Sequence, residues 1–278
     1  MKRQRIDMTR VLSVFGAVSF FLLALALPAQ FLSTQLVFAA QGSPELLDVV
    51  SLDVDQVIKK VEDNLNGKTA VMEMSMVVKT KRAERTMKMK SWSVGNKKSF
   101  IKILYPGKDK GITFLKLDNA MWQYVPRIEK TIKIPASMML QSWMGSDFSN
   151  DDLVRESSIS EDYTKKLLEE TKTEYRVELF PKPDAAVVWG KIIFAVSKQY
   201  FLPTTVQYFD EDGVLIRVMS YTDVQQLGGG ERFYPMAWTV TPQESGKAGH
   251  ETAIKITEAV FDSEMDPSYF TKRALKRY

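Results

Sequence analysis

Cysteine is absent from this chain of 278 residues, and histidine occurs only once, as His250. Without cysteine there is no disulfide framework, no thiol nucleophile and no cysteine-ligated zinc or iron–sulfur cluster. A Ser-His-Asp system would have to use the one imidazole, and no G-x-S-x-G motif accompanies it. His250 lies in the stretch KAGHE, which is typical of an exposed turn. We therefore predict no catalytic residue and no enzyme.

A large excess of one charge sign is also missing from most of the chain. The sequence has 38 Lys and Arg and 34 Asp and Glu, but four of the basic residues and one of the acidic residues precede Ala40. The rest of the chain has 34 positive and 33 negative charges, so its net charge is only +1. This balance argues against nucleic acid as a partner. Walker and EF-hand patterns are absent too, so no cofactor or metal site is predicted.

The first 39 residues have the plan of a secretory signal peptide. A basic start is followed by an apolar run from Val11 to Ala29, and small or β-branched residues precede Ala40. We predict a signal peptide over residues 1–39 and one domain over residues 40–278. Because the apolar run approaches the length that spans a bilayer, an uncleaved anchor is the alternative. In either case the basic start stays inside, and the domain lies outside the cytoplasm.

The period of the hydrophobic residues predicts the fold. Residues 44–66 have a helical stripe, with a capping box at Asp53 and Gln56 and a stop at Asn66-Gly67. From Thr69 onward, eleven segments alternate between apolar and polar residues, with turn signals between them. This pattern predicts a mainly β fold with some α: a single, strongly curved antiparallel sheet of about 11 strands, with helices covering its concave face.

Residues 135–170 interrupt the alternation. Their first part is apolar and rich in methionine, and their second part is polar and compatible with helix. An apolar segment of this kind must fill a core or cover an opening. We predict that it forms a movable lid, with the lid residues Met138, Met139, Leu140, Trp143, Met144 and Phe148.

Methionine is the most informative residue type that is present. Twelve methionines follow Ala40, and five of them lie between Met72 and Met89. Methionine adapts its shape to varied apolar partners, whereas a rigid core favours Leu, Ile and Val. We therefore predict a cavity for flexible acyl chains, although ordinary core packing is the alternative for any single methionine. The predicted cavity residues are Met72, Met74, Met76, Met87, Met89, Ile101, Ile103, Trp122, Tyr124, Ile132 and Ile134.

Residues 98–153 resemble the outer-membrane lipoprotein-sorting family, the LolA-like proteins. The resemblance rests on a W-x-Y-x-P strand, Trp122 to Pro126, and on the segment QSWMGSDF, Gln141 to Phe148. It extends more loosely over most of residues 40–278. It implies an unclosed β-barrel with helical covers, a cavity for acyl chains and a periplasmic location. The implied partners are lipoprotein or lipid acyl chains, an inner-membrane exporter and, transiently, a membrane surface.

Three functions remain open at this point. The first is a periplasmic carrier that moves lipoproteins or lipids toward the outer membrane. The second is a lipid-sensing or scaffold module that acts with an inner-membrane transporter or regulator. The third, against which the absence of catalytic motifs argues, is an enzyme acting on lipid, for which His250 is the one candidate imidazole. The sequence does not identify the cargo, the direction of transfer or the oligomeric state.

Overall fold

The computed structural model describes residues 53–154, 159–185, 187–228, 230 and 232–278. The predicted signal peptide and the start of the predicted helix 44–66 lie outside these residues. Most of the described chain belongs to one sheet of thirteen strands. The strands are β1 (Thr69–Lys79), β2 (Glu84–Val94), β3 (Lys98–Tyr105), β4 (Thr113–Leu117), β5 (Ala120–Val125), β6 (Lys130–Lys133), β7 (Tyr163–Glu170), β8 (Glu174–Pro181), β9 (Lys191–Ser197), β10 (Pro203–Phe209), β11 (Leu215–Gln226), β12 (Phe233–Pro242) and β13 (Glu251–Phe261).

The α-helices of the described residues are short, apart from the first. They are α1 (Val54–Asn66), α2 (Asn150–Val154), α3 (Ile159–Asp162) and α4 (Ala274–Arg277). Single 3-10 turns occur at Pro126–Ile128, Ala136–Met138, Trp143–Gly145, Ser245–Lys247 and Pro267–Phe270. We call residues 136–154, which include two of these turns and α2, the covering segment.

All neighbouring strands of the sheet are antiparallel, in the order β6-β5-β4-β3-β2-β1-β13-β12-β11-β10-β9-β8-β7. The first and last strands pair in the middle, while β6 and β7, which follow one another in sequence, are the two edges. The sheet is therefore curled but not closed, and the predicted fold class is confirmed.

Two of the thirteen strands were not predicted. In β4 the four residues from Thr113 to Lys116 are all buried, because both faces of this strand are covered, so no alternation marks it. Strand β7 lies in the stretch predicted to be helical. There Leu167 lies opposite Val177 of β8, and the pairing with β8 overrides the helical composition of the sequence.

One face of the sheet, here called the inner face, packs against α1. Val57, Ile58 and Val61 of the helix are buried in one cluster with inner-face residues such as Met76 and Ile103, here called the inner cluster. Fully burying each of these helix side chains contributes about 1.5–3 kcal/mol. The helix ends at Gly67, whose φ of 62° favours glycine. The predicted capping box is wrong, since the side chain of Asp53 makes no capping hydrogen bond.

The opposite, outer face has a smaller core of its own. There Phe100 of β3 and Leu115 of β4 pack against Phe270, Ala274 and Leu275 near the C-terminal end. These five residues form what we call the outer cluster. The Oγ1 of Thr113 donates a hydrogen bond to the carbonyl of Leu275 at 2.7 Å. The last residues of the chain therefore cover the outer face of β3 and β4, although the alternation in β3 predicts that its outer face is exposed to solvent.

Candidate functional site

The methionines of β1 and β2 form a ladder on the inner face. Met74 lies directly opposite Met89, and Met76 lies opposite Met87. The ladder continues to β3, where Ile103 lies opposite Met89. Met72, Met76, Met87, Met89 and Ile103 are buried in the inner cluster, and Met74 and Ile101 pack against it. The structure thus brings together the seven predicted cavity residues of β1, β2 and β3.

Trp122 and Tyr124 belong to the other face, so their prediction as cavity residues is wrong. They lie opposite Leu115 and Thr113 of β4 and pack on the outer cluster. The inner-face residue of this strand is Met121, which is buried in the inner cluster. In the sequence, two aromatic residues alternate with Gln123, and this pattern predicts the opposite orientation, with both rings on the inner face. C-terminal residues also reach this outer face, where the Lys272 ammonium lies 4.9 Å from the Trp122 ring centroid in a cation–π contact.

The two predicted isoleucines near β6 differ in burial. Ile134 is buried in the inner cluster, and its N–H donates to the Met121 carbonyl at 2.9 Å. Ile132 lies opposite Gln123 on the edge strand, and 40% of its surface is exposed. Only Ile134 of this pair is part of the packed inner face.

The covering segment inserts two large side chains into the inner cluster. Trp143 is 3% exposed, and its ring meets that of Phe114 edge-on at a centroid distance of 5.4 Å; Phe148 is buried beside the same cluster. Met139 and Met144 pack against the cluster from the side. Met138 and Leu140, also predicted as lid residues, are exposed, Leu140 by 66%.

The segment QSWMGSDF folds as a compact loop. Ser142 and Ser149 form an isolated antiparallel bridge, inside which the Trp143 N–H donates to the Phe148 carbonyl at 2.7 Å. The Ser146 hydroxyl donates to the Trp143 carbonyl at 2.7 Å. Gly145 has a φ of 70°, and a Cβ there would lie 3.0 Å from a nitrogen of Arg85. The local motif therefore closes the loop and directs Trp143 into the sheet.

Polar contacts attach this loop to two strands of the sheet. Arg85 of β2 donates from Nη2 to the Met144 carbonyl. The Asp147 N–H donates to the Thr252 Oγ1 of β13 at 3.0 Å, and that hydroxyl donates to the Asp147 carboxylate at 2.7 Å. Because Thr252 is fully buried, these two hydrogen bonds are shielded from water.

A buried ion pair attaches the end of the covering segment to β11. The two terminal nitrogens of Arg217 donate to the two carboxylate oxygens of Asp152 at 2.6 and 2.7 Å. Asp152 also accepts the N–H of Ser149 at 2.7 Å, which caps the start of α2. The guanidinium carbon lies 4.6 Å from the ring centroid of Trp189 and 4.4 Å from that of Tyr208. Arg217 is thus held by a carboxylate and two aromatic rings.

The environment of Arg217 is unusual for a charged residue. The residue is only 6% exposed, and its Nε has no hydrogen-bond partner among the described residues. Burial acts to lower the pKa of the guanidinium, but the hydrogen bonds and charge of Asp152 outweigh it and raise the pKa above its ordinary value. Gly190, which follows Trp189, lies so close to the backbone of residues 210–211 that a Cβ there would meet the Asp210 carbonyl oxygen at 2.5 Å.

The residues that hold the covering segment were not predicted from the sequence: they are Arg85, Asp147, Asp152, Arg217 and Thr252. Arg217 had a usable signal. In the strand GVLIRVMSY it has the same parity as Met219 and Tyr221, so alternation places a cation on an apolar face. Arg85 likewise has the parity of Met87 and Met89, and Thr252 that of Ile254 and Ile256, whereas Asp147 and Asp152 lie outside the strands and carry no such signal.

The described residues show no grouping of His, Asp and Glu suited to a metal ion. His250 is half-buried in the connection between β12 and β13. In this conformation the inner face is packed against α1 and the covering segment, and Met76, Met87 and Ile103 have no exposed surface. Trp143 and Phe148 of the covering segment thus occupy the apolar inner face. No helix in the described ranges is long and apolar enough to cross a membrane.

Several solved structures share this fold. A DUF1329 family protein from Desulfovibrio piger aligns with a TM-score of 0.72 at 20% identity, over 80% of this chain and 97% of that one. A putative outer membrane lipoprotein-sorting protein domain from Vibrio parahaemolyticus aligns at 0.69 and 20% identity, over 80% and 98%. A LolA superfamily protein from Nitrosomonas europaea aligns at 0.66 and 18% identity, over 81% and 100%.

No curated protein sequence matches the chain. A family model with the description "Uncharacterized protein" matches residues 95–277, a range that includes the covering segment, Arg217 and the C-terminal residues of the outer cluster. The chain belongs to the family of that model, and it has the fold of the LolA superfamily.

Proposed function

We propose that this protein is a periplasmic carrier that binds the acyl chains of lipoproteins or lipids under the covering segment and moves them toward the outer membrane. The observation that supports this most is the insertion of Trp143 and Phe148 into the methionine-rich inner cluster. Both side chains belong to a segment attached to the sheet by a small number of polar contacts. When the segment moves away, the apolar surface that it covers becomes available to an acyl chain.

The closed state, with Trp143 and Phe148 on the inner face, and the state with a bound acyl chain have comparable free energies. Burying an acyl chain of about sixteen carbons is worth roughly 13 kcal/mol at about 0.8 kcal/mol per methylene. Trp and Phe each bury about 150–250 Å², so at about 25 cal/mol per Å² the pair is worth roughly 8–12 kcal/mol. Replacing the two aromatic side chains with an acyl chain then changes the free energy only slightly. A carrier needs this balance, because it must release its cargo.

The proposed location rests on the signal-like plan of residues 1–39 and on the fold. One solved structure with this fold is described as a putative outer membrane lipoprotein-sorting protein domain. The proposed role is binding without chemistry. Transfer of labelled lipid between vesicles distinguishes a carrier from a sensor. A sensor binds its cargo and reports on it to a membrane partner, but it does not deliver it.

The proposed contact with membranes uses the β6 edge of the sheet. Residues 84–133 contain twelve Lys and Arg but only four Asp and Glu. Near the edge, Arg127, Lys130 and Lys133 have no carboxylate within salt-bridge distance in the described part of the chain. Ile128 and Ile132 are exposed beside them. Basic residues with exposed apolar neighbours favour an anionic lipid surface.

A reversible crosslink tests whether the covering segment must open. Asp147→Cys with Thr252→Cys places two thiols where the two side chains now hydrogen-bond, and the chain has no other cysteine. We expect the oxidised protein to bind a fluorescent fatty acid at least tenfold more weakly than the same protein after reduction. The matched control is Glu73→Cys with Lys90→Cys, a pair of directly opposed residues on the outer face.

The control crosslink should leave fatty-acid binding unchanged in both redox states. Equal binding by the oxidised and reduced Asp147/Thr252 variant would contradict opening of the covering segment. Absence of binding in wild type and in every variant would contradict the carrier function itself.

A further inference from the structure

We infer that Arg217 is the binding site for an anionic lipid headgroup, and that Asp152 occupies this site while the covering segment is closed. This inference rests on the proposed function and specifies its cargo as lipids whose phosphate-containing headgroup has a net negative charge, because a choline cation beside the phosphate would be repelled by the guanidinium. In the described residues the Arg217–Asp152 pair joins the covering segment to the inner face through two hydrogen bonds. Movement of the segment would therefore separate a buried cation from its anion.

The geometry of the pair is that of ligand recognition by arginine. A guanidinium binds carboxylate and phosphate groups with the same two-pronged arrangement, and the distances of 2.6 and 2.7 Å are typical of such charged hydrogen bonds. Trp189 and Tyr208 hold the guanidinium plane from the sides. Because these rings belong to the sheet side and not to the covering segment, the cation remains oriented after Asp152 leaves.

Arg217 also has a donor that Asp152 does not use. The Nε–H is buried and has no partner in the described ranges. An unpaired buried donor costs about 1–3 kcal/mol. A phospholipid headgroup has more acceptor oxygens than a carboxylate, so it can satisfy this third donor as well. The site is therefore better matched to such a headgroup than to the residue that now fills it.

The position of Arg217 suits a lipid with its tails on the inner face. Met219, two residues further along β11, is on the same face and lies between Val206 of β10 and Val240 of β12. All three are buried in the inner cluster. A headgroup at Arg217 would thus place the start of its acyl chains on Met219. The alternative is a purely structural ion pair that fastens the covering segment.

Two substitutions separate these possibilities in the full-length protein. Asp152→Asn weakens the internal competitor, and Arg217→Met removes the headgroup site. The probes are fluorescent phosphatidylglycerol and phosphatidylcholine with identical acyl chains. We expect Asp152→Asn to tighten phosphatidylglycerol binding at least fivefold, with a smaller change for phosphatidylcholine. We expect Arg217→Met to abolish the preference of the wild-type protein for phosphatidylglycerol.

Matched controls come from a second pair at the surface. Arg232 donates to Asp262 at 2.8 Å and lies over the Phe261 ring. It also donates to the Asn64 carbonyl at the C-terminal end of α1, and among the described residues it makes no hydrogen bond or ion pair with the covering segment. Arg232→Met and Asp262→Asn should not change the preference between the two lipids.

The outcomes are distinct. If Asp152→Asn strengthens binding of both lipids equally, the pair is only a fastening and the headgroup inference is wrong. Should Arg217→Met fail to fold, Arg217→Lys provides the test, since it keeps the charge but loses the two-pronged geometry and should reduce the preference. Failure of every form to bind either lipid would instead contradict the proposed carrier function.

Discussion

Trp143 is the residue whose removal should open the covering segment most directly. Its side chain buries about 150–250 Å², which corresponds to roughly 4–6 kcal/mol at about 25 cal/mol per Å². The edge-on contact with Phe114 adds about 0.5–1.5 kcal/mol. The unpaired Nε1–H offsets about 1–3 kcal/mol of this. We therefore expect Trp143→Ala to destabilise the closed state by about 3 kcal/mol, within the range measured for large-to-small core substitutions.

This loss should appear as local opening. The N–H groups of Asn150 and Asp151 donate to carbonyls of Gln141 and Met139 within the covering segment, so their hydrogen exchange reports on its opening. A change of about 3 kcal/mol accelerates their exchange roughly a hundredfold. Trp143→Phe keeps most of the apolar contact and removes the unpaired donor, so it should change exchange by less than about tenfold.

Phe100→Ala is the control for general destabilisation, because Phe100 is fully buried in the outer cluster. It should lower the free energy of unfolding without selectively accelerating Asn150 and Asp151. The reasoning would be refuted if Trp143→Ala left these two amides protected, or if it accelerated exchange equally in β1, β13 and the covering segment.

Other predictions follow from separate parts of the structure. Leu275→Ala should lower the free energy of unfolding by about 2–5 kcal/mol in urea denaturation, because this C-terminal side chain is buried in the outer cluster; a loss below about 0.5 kcal/mol would contradict that packing. Burial raises the pKa of Glu62, which accepts a hydrogen bond from the Ser160 N–H at 3.2 Å. The stability associated with its proton is present at low pH and is lost as pH rises through the raised pKa, so Glu62→Gln should stabilise the protein more at pH 7 than at about pH 4; equal effects at both pH values would refute this. Lys130→Glu with Lys133→Glu should weaken binding to vesicles containing phosphatidylglycerol at least tenfold, whereas the same change at Lys166 and Lys172, near the β7 edge, should not; equal losses would show a nonspecific charge effect.

The sequence predicts the architecture well because alternation reports directly on a sheet with one covered face. It predicts eleven of the thirteen strands and places the methionine ladder correctly on one face. It fails at β4, where both faces are covered, because alternation then disappears. It also fails at β7, because the charged sequence of this edge strand is compatible with a helix and only the pairing with β8 makes it a strand.

The candidate site is less visible in the sequence because its contacts are non-local. Trp122 and Tyr124 are assigned to the wrong face, since residues about 150 positions later cover the outer side of β4 and β5. The motif around Trp143 is recognisable, but its attachment to Thr252 and Arg217 joins residues more than 60 positions apart. Only tertiary structure brings these partners together.

Native mass spectrometry of the protein extracted from its own cell envelope tests the central claim most directly. The account predicts a bound species with one or more acyl chains, and it predicts that Arg217→Met loses any species with an anionic headgroup. Wild-type protein that is consistently free of acyl species, even when extracted under conditions that preserve weak complexes, would contradict the account.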